Sequence, residues 1–241
     1  MLIRDRFARI LRATGLAACI LFFGPGCWWQ KDSYSSRMRD GFDNFEKRAA
    51  REAMLGESFQ PAGDFPMWIR PPKPTSLVAT PDQFADQFIA WFQGADAGGQ
   101  LIEVILKGSA GAETLAEFQQ GAFNALRAAS KFPPQDPERS QEPPEITSMH
   151  DNAKMPFDLY QGVGQRQVPG AGGAAGKAAE YQWLIFVGEE QTQKILICFI
   201  VPTEKYVEFY RGPLTRCLES LALGGKVASA SQTGGGAPAG G

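Results

Sequence analysis

Residues 181–187 (YQWLIFV) and 195–201 (ILICFIV) are two densely apolar runs, and the link Gly188-Glu189-Glu190-Gln191-Thr192-Gln193, followed by Lys194, is mostly polar. A short polar link between β-prone runs predicts an antiparallel pair. Hydrophobicity that is nearly continuous along both runs, rather than alternating, predicts a sheet covered on both faces. Residues 101–106 (LIEVIL) read as another strand, and 157–163 as a further one. Residues 112–129 carry Leu115, Phe118, Ala122 and Leu126 at helical spacing, backed by Phe123, so a helix is predicted to lay that face on the sheet. Residues 65–70 form a short apolar segment stopped by Pro71-Pro72, which suits an edge strand because proline cannot donate to a ladder.

Residues 80–94 support two readings. Thr80-Pro81-Asp82-Gln83 has the form of a helix N-terminus, with Phe84, Phe88, Trp91 and Phe92 at helical spacing behind it. Residues 88–92 are also β-prone, and Gly94-Ala95-Asp96-Ala97-Gly98-Gly99 would close a hairpin onto residues 101–106; the reading preferred is a hairpin from about residue 87. After Pro202-Thr203 a helical region holds Tyr206, Phe209 and Tyr210, then Leu214, Cys217, Leu218 and Leu221, with Pro213 expected to kink or restart it.

Glycine and proline number 27 and 17 in 241 residues, and they collect at 132–148, 168–176 and 224–241. The first two are predicted loops and the third a disordered tail. Residues 30–60 are rich in charge, with a narrow apolar stripe at Met38, Phe42, Phe45 and Ala49 that Gly41 interrupts, so they read as a tether. Formal net charge is −2, without the strongly basic character of a nucleic-acid binder, so no nucleic-acid partner is expected.

The first residues add an address. Arg4, Arg6, Arg9 and Arg12 precede an uncharged stretch from Ala13 to Phe23, then Gly24-Pro25-Gly26-Cys27. Basic and then apolar for 11 residues is the order of a secretory signal; a spanning helix needs about 20. The end of this segment resembles the cleavage site of bacterial lipoproteins, in which a small residue precedes a cysteine that is lipid-modified and becomes the first of the mature chain. The resemblance implies a signal peptide over 1–26 and lipid attachment at Cys27; Cys19 lies too close to Arg12 to serve. Removing residues 1–26 would take away four Arg and one Asp and leave 20 basic and 25 acidic residues.

The expected organisation is therefore a signal peptide at 1–26, a lipidated N-terminus and charged stalk at 27–60, one α+β domain at 61–223 and a Gly/Ala-rich tail at 224–241. The fold class is α+β, an antiparallel β-sheet with helices packed on it. The paired strands YQWLIFV and KILICFIV, followed at once by PTEKYVEFYRGPLTRCLESL, resemble the final unit of the PsbP-like superfamily, which includes bacterial lipoproteins of the DcrB kind. That resemblance implies an α/β/α sandwich and brings no catalytic residues with it.

Candidate chemistry is sparse. The loop from Ala171 to Ala178 is glycine-rich and carries Lys177, but Ala178 stands where a phosphate-binding loop needs a hydroxyl, and a strand follows where a helix should begin. His150 is the chain's one histidine; Asp151 or Asp158 could orient it in a hydrolase triad, yet no Gly-x-Ser-x-Gly elbow occurs, and a surface histidine is expected. Glu138, Glu142 and Glu145, and then Glu189 and Glu190, lie in predicted loops and read as solvated charge. Tyr206, Phe209 and Tyr210 read as core, and Cys198 and Cys217 as two buried thiols in preference to a disulfide. No cofactor or metal is implied. The reading carried forward is a non-enzymatic binding or assembly module of the bacterial cell envelope, facing the periplasm or exterior. Its partners would be membrane lipid through acylated Cys27 and an envelope protein; the alternative is an envelope hydrolase whose site is dispersed in sequence.

Overall fold

The computed structural model of the chain describes residues 52–62, 65–96, 98–142, 144–152, 154–168 and 177–224, together with Glu46, Ala49 and Ala50. Cys27 and residues 1–26, most of the expected stalk, the glycine loop at 169–176 and the tail from 225 lie outside the described residues. Two compact units divide the chain, Met1–Ala50 and Arg51–Gly241. Of the first, Glu46, Ala49 and Ala50 are described, and all three are helical.

The second unit is an α+β fold around a seven-stranded antiparallel sheet. In chain order its strands are β1 (Met67–Trp68), β2 (Ser76–Val78), β3 (Ala90–Ala95), β4 (Leu101–Ser109), β5 (Glu138–Arg139), β6 (Ile146–Thr147), β7 (Lys154–Met155), β8 (Phe157–Val168), β9 (Lys177–Glu190), β10 (Gln193–Pro202) and β11 (Ala222–Leu223). The large sheet runs β2-β3-β4-β10-β9-β8-β5, while β1 pairs with β11 and β6 with β7 in two-stranded ribbons. The two apolar runs pair as expected: β9 and β10 form a hairpin closed by Gln191-Thr192, with Gln191 at φ 59°.

Burial along β10 explains why its hydrophobicity does not alternate. Ile195, Ile197, Phe199 and Val201 face a layer built by the C-terminal helices and the segment before β1, while Leu196, Cys198 and Ile200 face the long helix α1 (Leu115–Ala128). Successive side chains point to opposite faces of a strand, so a strand covered on both sides must be apolar at every position. Phe118, Ala122, Phe123, Ala125 and Leu126 are the buried face of α1. Its N-terminus is a capping box in which Thr114 Oγ1 accepts from the Glu117 N–H and the Glu117 carboxylate accepts from the Thr114 N–H, which also holds the Glu117 carboxyl below its usual range.

The C-terminal region packs on the other face. A 3₁₀ turn at Thr203–Lys205 leads into α2 (Tyr206–Phe209), a π-helical turn at Tyr210–Leu214 and α3 (Thr215–Glu219). Pro213 lies inside the π turn, so the expected interruption takes the form of a widened turn. Thr215 Oγ1 donates to the Tyr210 carbonyl at 2.5 Å, occupying an acceptor in that turn.

Several expectations are corrected. The folded unit begins near residue 51 rather than 61: Leu55 is buried in the core, Phe59 packs edge-on to Phe92, and both make β-bridges, to Pro72 and Ile69. Short, isolated apolar residues in a charged stretch gave no period that would reveal this contact. The segment at 65–70 joins β11 in a ribbon and is not an edge of the large sheet. Residues 80–94 combine both readings, a single 3₁₀ turn at Asp82–Phe84 without a side-chain cap and then the β3–β4 hairpin. The predicted loop at 132–148 contains β5 and β6, with Ile146 buried.

Candidate functional site

Glu103 is fully buried, and it stands on the α1 face of β4 between strand neighbours that belong to the opposite layer, Ile102 and Val104. A lone ionised carboxylate would not persist in such a place, so its surroundings must supply charge and donors. Gln93, directly opposite on β3, donates from Nε2 to Oε1 at 2.6 Å. Lys131 Nζ donates to Oε1 and Oε2 at 2.7 and 3.0 Å, and Arg166 Nη1 lies 2.6 Å from Oε2. Burial alone would raise the Glu103 carboxyl, but Arg166 and then Lys131 outweigh it and hold the group below its usual range.

Local structure brings these cations in. α1 ends with Ser130 at φ 55°, its N–H donating to the Arg127 carbonyl and that of Lys131 to the Leu126 carbonyl. This pair of bonds is a Schellman cap, and it fixes the backbone of Lys131 over the sheet. Trp183 Nε1 donates to the Lys131 carbonyl at 3.0 Å and fixes it again. The chain then crosses β8 as Pro133-Pro134, and Gly162 and Gly164 leave room for it. A Cβ at Gly164 would lie 2.4 Å from Pro134 Cδ, and one at Gly162 2.8 Å from Pro133 Cβ. Two residues farther along β8, Arg166 stacks its guanidinium on the Tyr181 ring at 5.2 Å, while Lys131 Nζ sits 4.8 Å from the Trp91 ring centroid. Burial pushes the Tyr181 hydroxyl above its usual range.

The cluster thus holds one carboxylate and two cations. The Glu103 side chain has no exposure, whereas those of Lys131 and Arg166 retain 15% and 19%. The remaining exposure of these three charged side chains is therefore carried by the two cationic ones. Other cations on this face are employed differently: Lys107 donates to the Gln87 carbonyl, and Lys194 to the Gly111 carbonyl with Glu189 at 3.6 Å.

The residues singled out from the sequence are dispersed. His150 is half-buried, not a surface residue: its Nε2 is 3.0 Å from the Ser220 carbonyl oxygen and its ring meets Trp68 edge-on at 5.0 Å. Asp158 pairs with Arg139 at 2.5 Å, and Glu145 with Lys154 at 2.8 Å; Glu138 lies in β5 and Glu142 is exposed. Glu189 and Glu190 end β9. Phe209 is buried in the core, with Tyr206 and Tyr210 packed partly buried against it. Cys198 and Cys217 are free thiols in different core layers, and burial pushes both well above the usual thiol range. An open cleft of ≈ 800 Å³ lies elsewhere, between Leu115, Met155, Phe157 and Val187, with Glu145, Lys154 and Glu189 on its wall. Among the described residues there is no group of three or more His, Cys, Asp or Glu placed to hold a metal, and no helix long and apolar enough to cross a membrane.

No family model matches the chain, and no curated protein matches it. Among solved structures it is similar to a protein of Bacteroides thetaiotaomicron VPI-5482, at 10% identity and a TM-score of 0.39 over 71% of this chain, which spans 49% of that one. It is also similar to LpqN of Mycobacterium tuberculosis, described as involved in cell envelope biogenesis, at 12% identity and a TM-score of 0.37 over 73% of this chain and 94% of that one.

Glu103 was the member of the cluster that the sequence could have disclosed. It is the one charge in LIEVIL, a run otherwise apolar at every position. Lys131 and Arg166 carried no such mark, since each sits among polar or loop-forming residues.

Proposed function

We propose that the protein is an exported, lipid-anchored module of a bacterial cell envelope, acting by binding or assembly rather than by catalysis. The observation that carries this reading is the order of the first 27 residues, four arginines, an apolar stretch of 11 and then Gly26-Cys27. Acyl chains contribute about 0.8 kcal/mol per buried CH₂, so two or more on one cysteine give stable attachment without a spanning helix. Trp28 and Trp29 follow directly, and indoles favour the headgroup level of a bilayer. The sheet domain begins downstream, at Arg51.

The groups that would suggest catalysis are engaged in holding the domain together. His150 binds the turn at Ser220, Asp158 an edge-strand arginine, and both described thiols are buried. Metabolic labelling with a radioactive fatty acid, in wild type and Cys27→Ser, tests the anchor. Label should enter the wild type alone. A wild-type protein that takes up none ends the reading.

A further inference from the structure

We propose that Lys131 and Arg166 form a binding site for a small oxyanion, with Glu103 as the residue that positions both cations. This deepens the binding-module reading and rests on it for its biological setting, but its geometry is independent of the lipid anchor.

The charge count is the first argument. One fully buried carboxylate faces two cations that are each more than four-fifths buried, so the cluster carries an excess positive charge in a poorly solvated place. A purely structural ion pair needs one cation; the second raises the desolvation penalty without a second carboxylate to offset it. Asp96, whose charge is felt at Tyr181, already accepts from the Gly98 and Gln100 amides at 2.9 and 2.7 Å. An oxyanion at the mouth would restore neutrality.

The second argument is orientation. Oε1 of Glu103 accepts from Gln93 and both of its oxygens accept from Lys131, with Arg166 Nη1 2.6 Å from Oε2; the carboxylate has no exposure while both cationic side chains keep some. The Arg166 guanidinium lies over the Tyr181 ring, 5.2 Å from its centroid, and Lys131 is fixed through its backbone by the α1 cap and by Trp183. Guanidinium geometry suits two-oxygen recognition, and a fixed guanidinium beside a fixed ammonium suits a carboxylate or phosphate group. The third argument is the Trp91 indole N–H, which is buried without a hydrogen-bond partner on the ring that touches Lys131. A buried donor left unsatisfied beside Lys131 adds a further preference for an acceptor at this end of the sheet.

The test titrates inorganic phosphate, and separately acetate, into the full chain in detergent at constant ionic strength maintained with chloride, reading tryptophan fluorescence and heat. Saturable binding of either anion is expected, weakened about tenfold or more by Arg166→Gln or Lys131→Gln. Arg166→Lys keeps the charge and loses the fork, and should retain part of the affinity. Circular dichroism of each variant separates lost binding from lost folding. Should both neutral variants unfold, the wild type still decides, because a chloride-like, non-saturating response to phosphate and acetate overturns the site. Equal affinity in a folded Arg166→Gln variant overturns it as well. A chain that takes no fatty acid but binds phosphate loses the anchor and keeps the site; a labelled chain that binds neither anion keeps the anchor and loses the site.

Discussion

Glu103 occupies a position where the alternation of β4 calls for an apolar side chain, and its charge is maintained by Arg166 and Lys131. Replacing it with glutamine would leave two poorly solvated cations facing each other. Glu103→Gln should therefore destabilise the domain by roughly 3 kcal/mol or more, seen as a lower urea midpoint. The same group sets an acid limb. Its folded pKa lies below the ordinary 4.5, so its contribution is complete above that value and is lost as pH falls through the folded pKa. Stability measured from pH 6 to pH 3 should fall less steeply in Glu103→Gln than in wild type; identical slopes would place the titrating charge elsewhere. The anomaly of a lone charge in LIEVIL was legible in the sequence. Its partners were not, because Lys131 lies 28 residues along and is delivered by a helix cap, which depends on backbone conformation at Ser130 rather than on any residue pattern.

Elements were readable in proportion to their periodicity. α1, β9 and β10 carry long, consistent patterns and form close to where those patterns predict. Residues 80–94 carry two competing patterns of similar strength, and the β3–β4 ladder prevails because Trp91 and Phe92 are buried on opposite faces once β4 pairs beside them. Two-residue strands such as β1 and β5 have no period to detect. Two glycines in different elements give opposite predictions. Gly121 lies in α1 with open space where a Cβ would stand, so Gly121→Ala should stabilise by about 0.5–1 kcal/mol through helix propensity. Gly164→Ala should destabilise by about 1–3 kcal/mol, because its Cβ would be driven into Pro134 and the crossing that leads from Lys131 past Arg166 would have to shift. Thermal unfolding of the two variants beside wild type reads both signs.

Across the whole molecule, the sheet separates two apolar layers, and each contains one of the two described thiols. Neither Cys198 nor Cys217 should react with iodoacetamide while the domain is folded, since burial excludes reagent and disfavours the thiolate. Both should react once urea unfolds it, as mapped by mass spectrometry of peptides. Labelling of either site well below the unfolding midpoint would mean that its layer opens locally.

Fold class, the two-faced burial of the central hairpin and the long helix were set by the sequence alone, because each rests on order and periodicity over neighbouring residues. The start of the domain at residues 51–59, the half-buried station of His150, the separation of the thiols and the assembly of Glu103, Lys131 and Arg166 were decided only by tertiary structure. Those features depend on which distant segments share a face of the sheet, and burial and charge pairing across such distances leave no local signature.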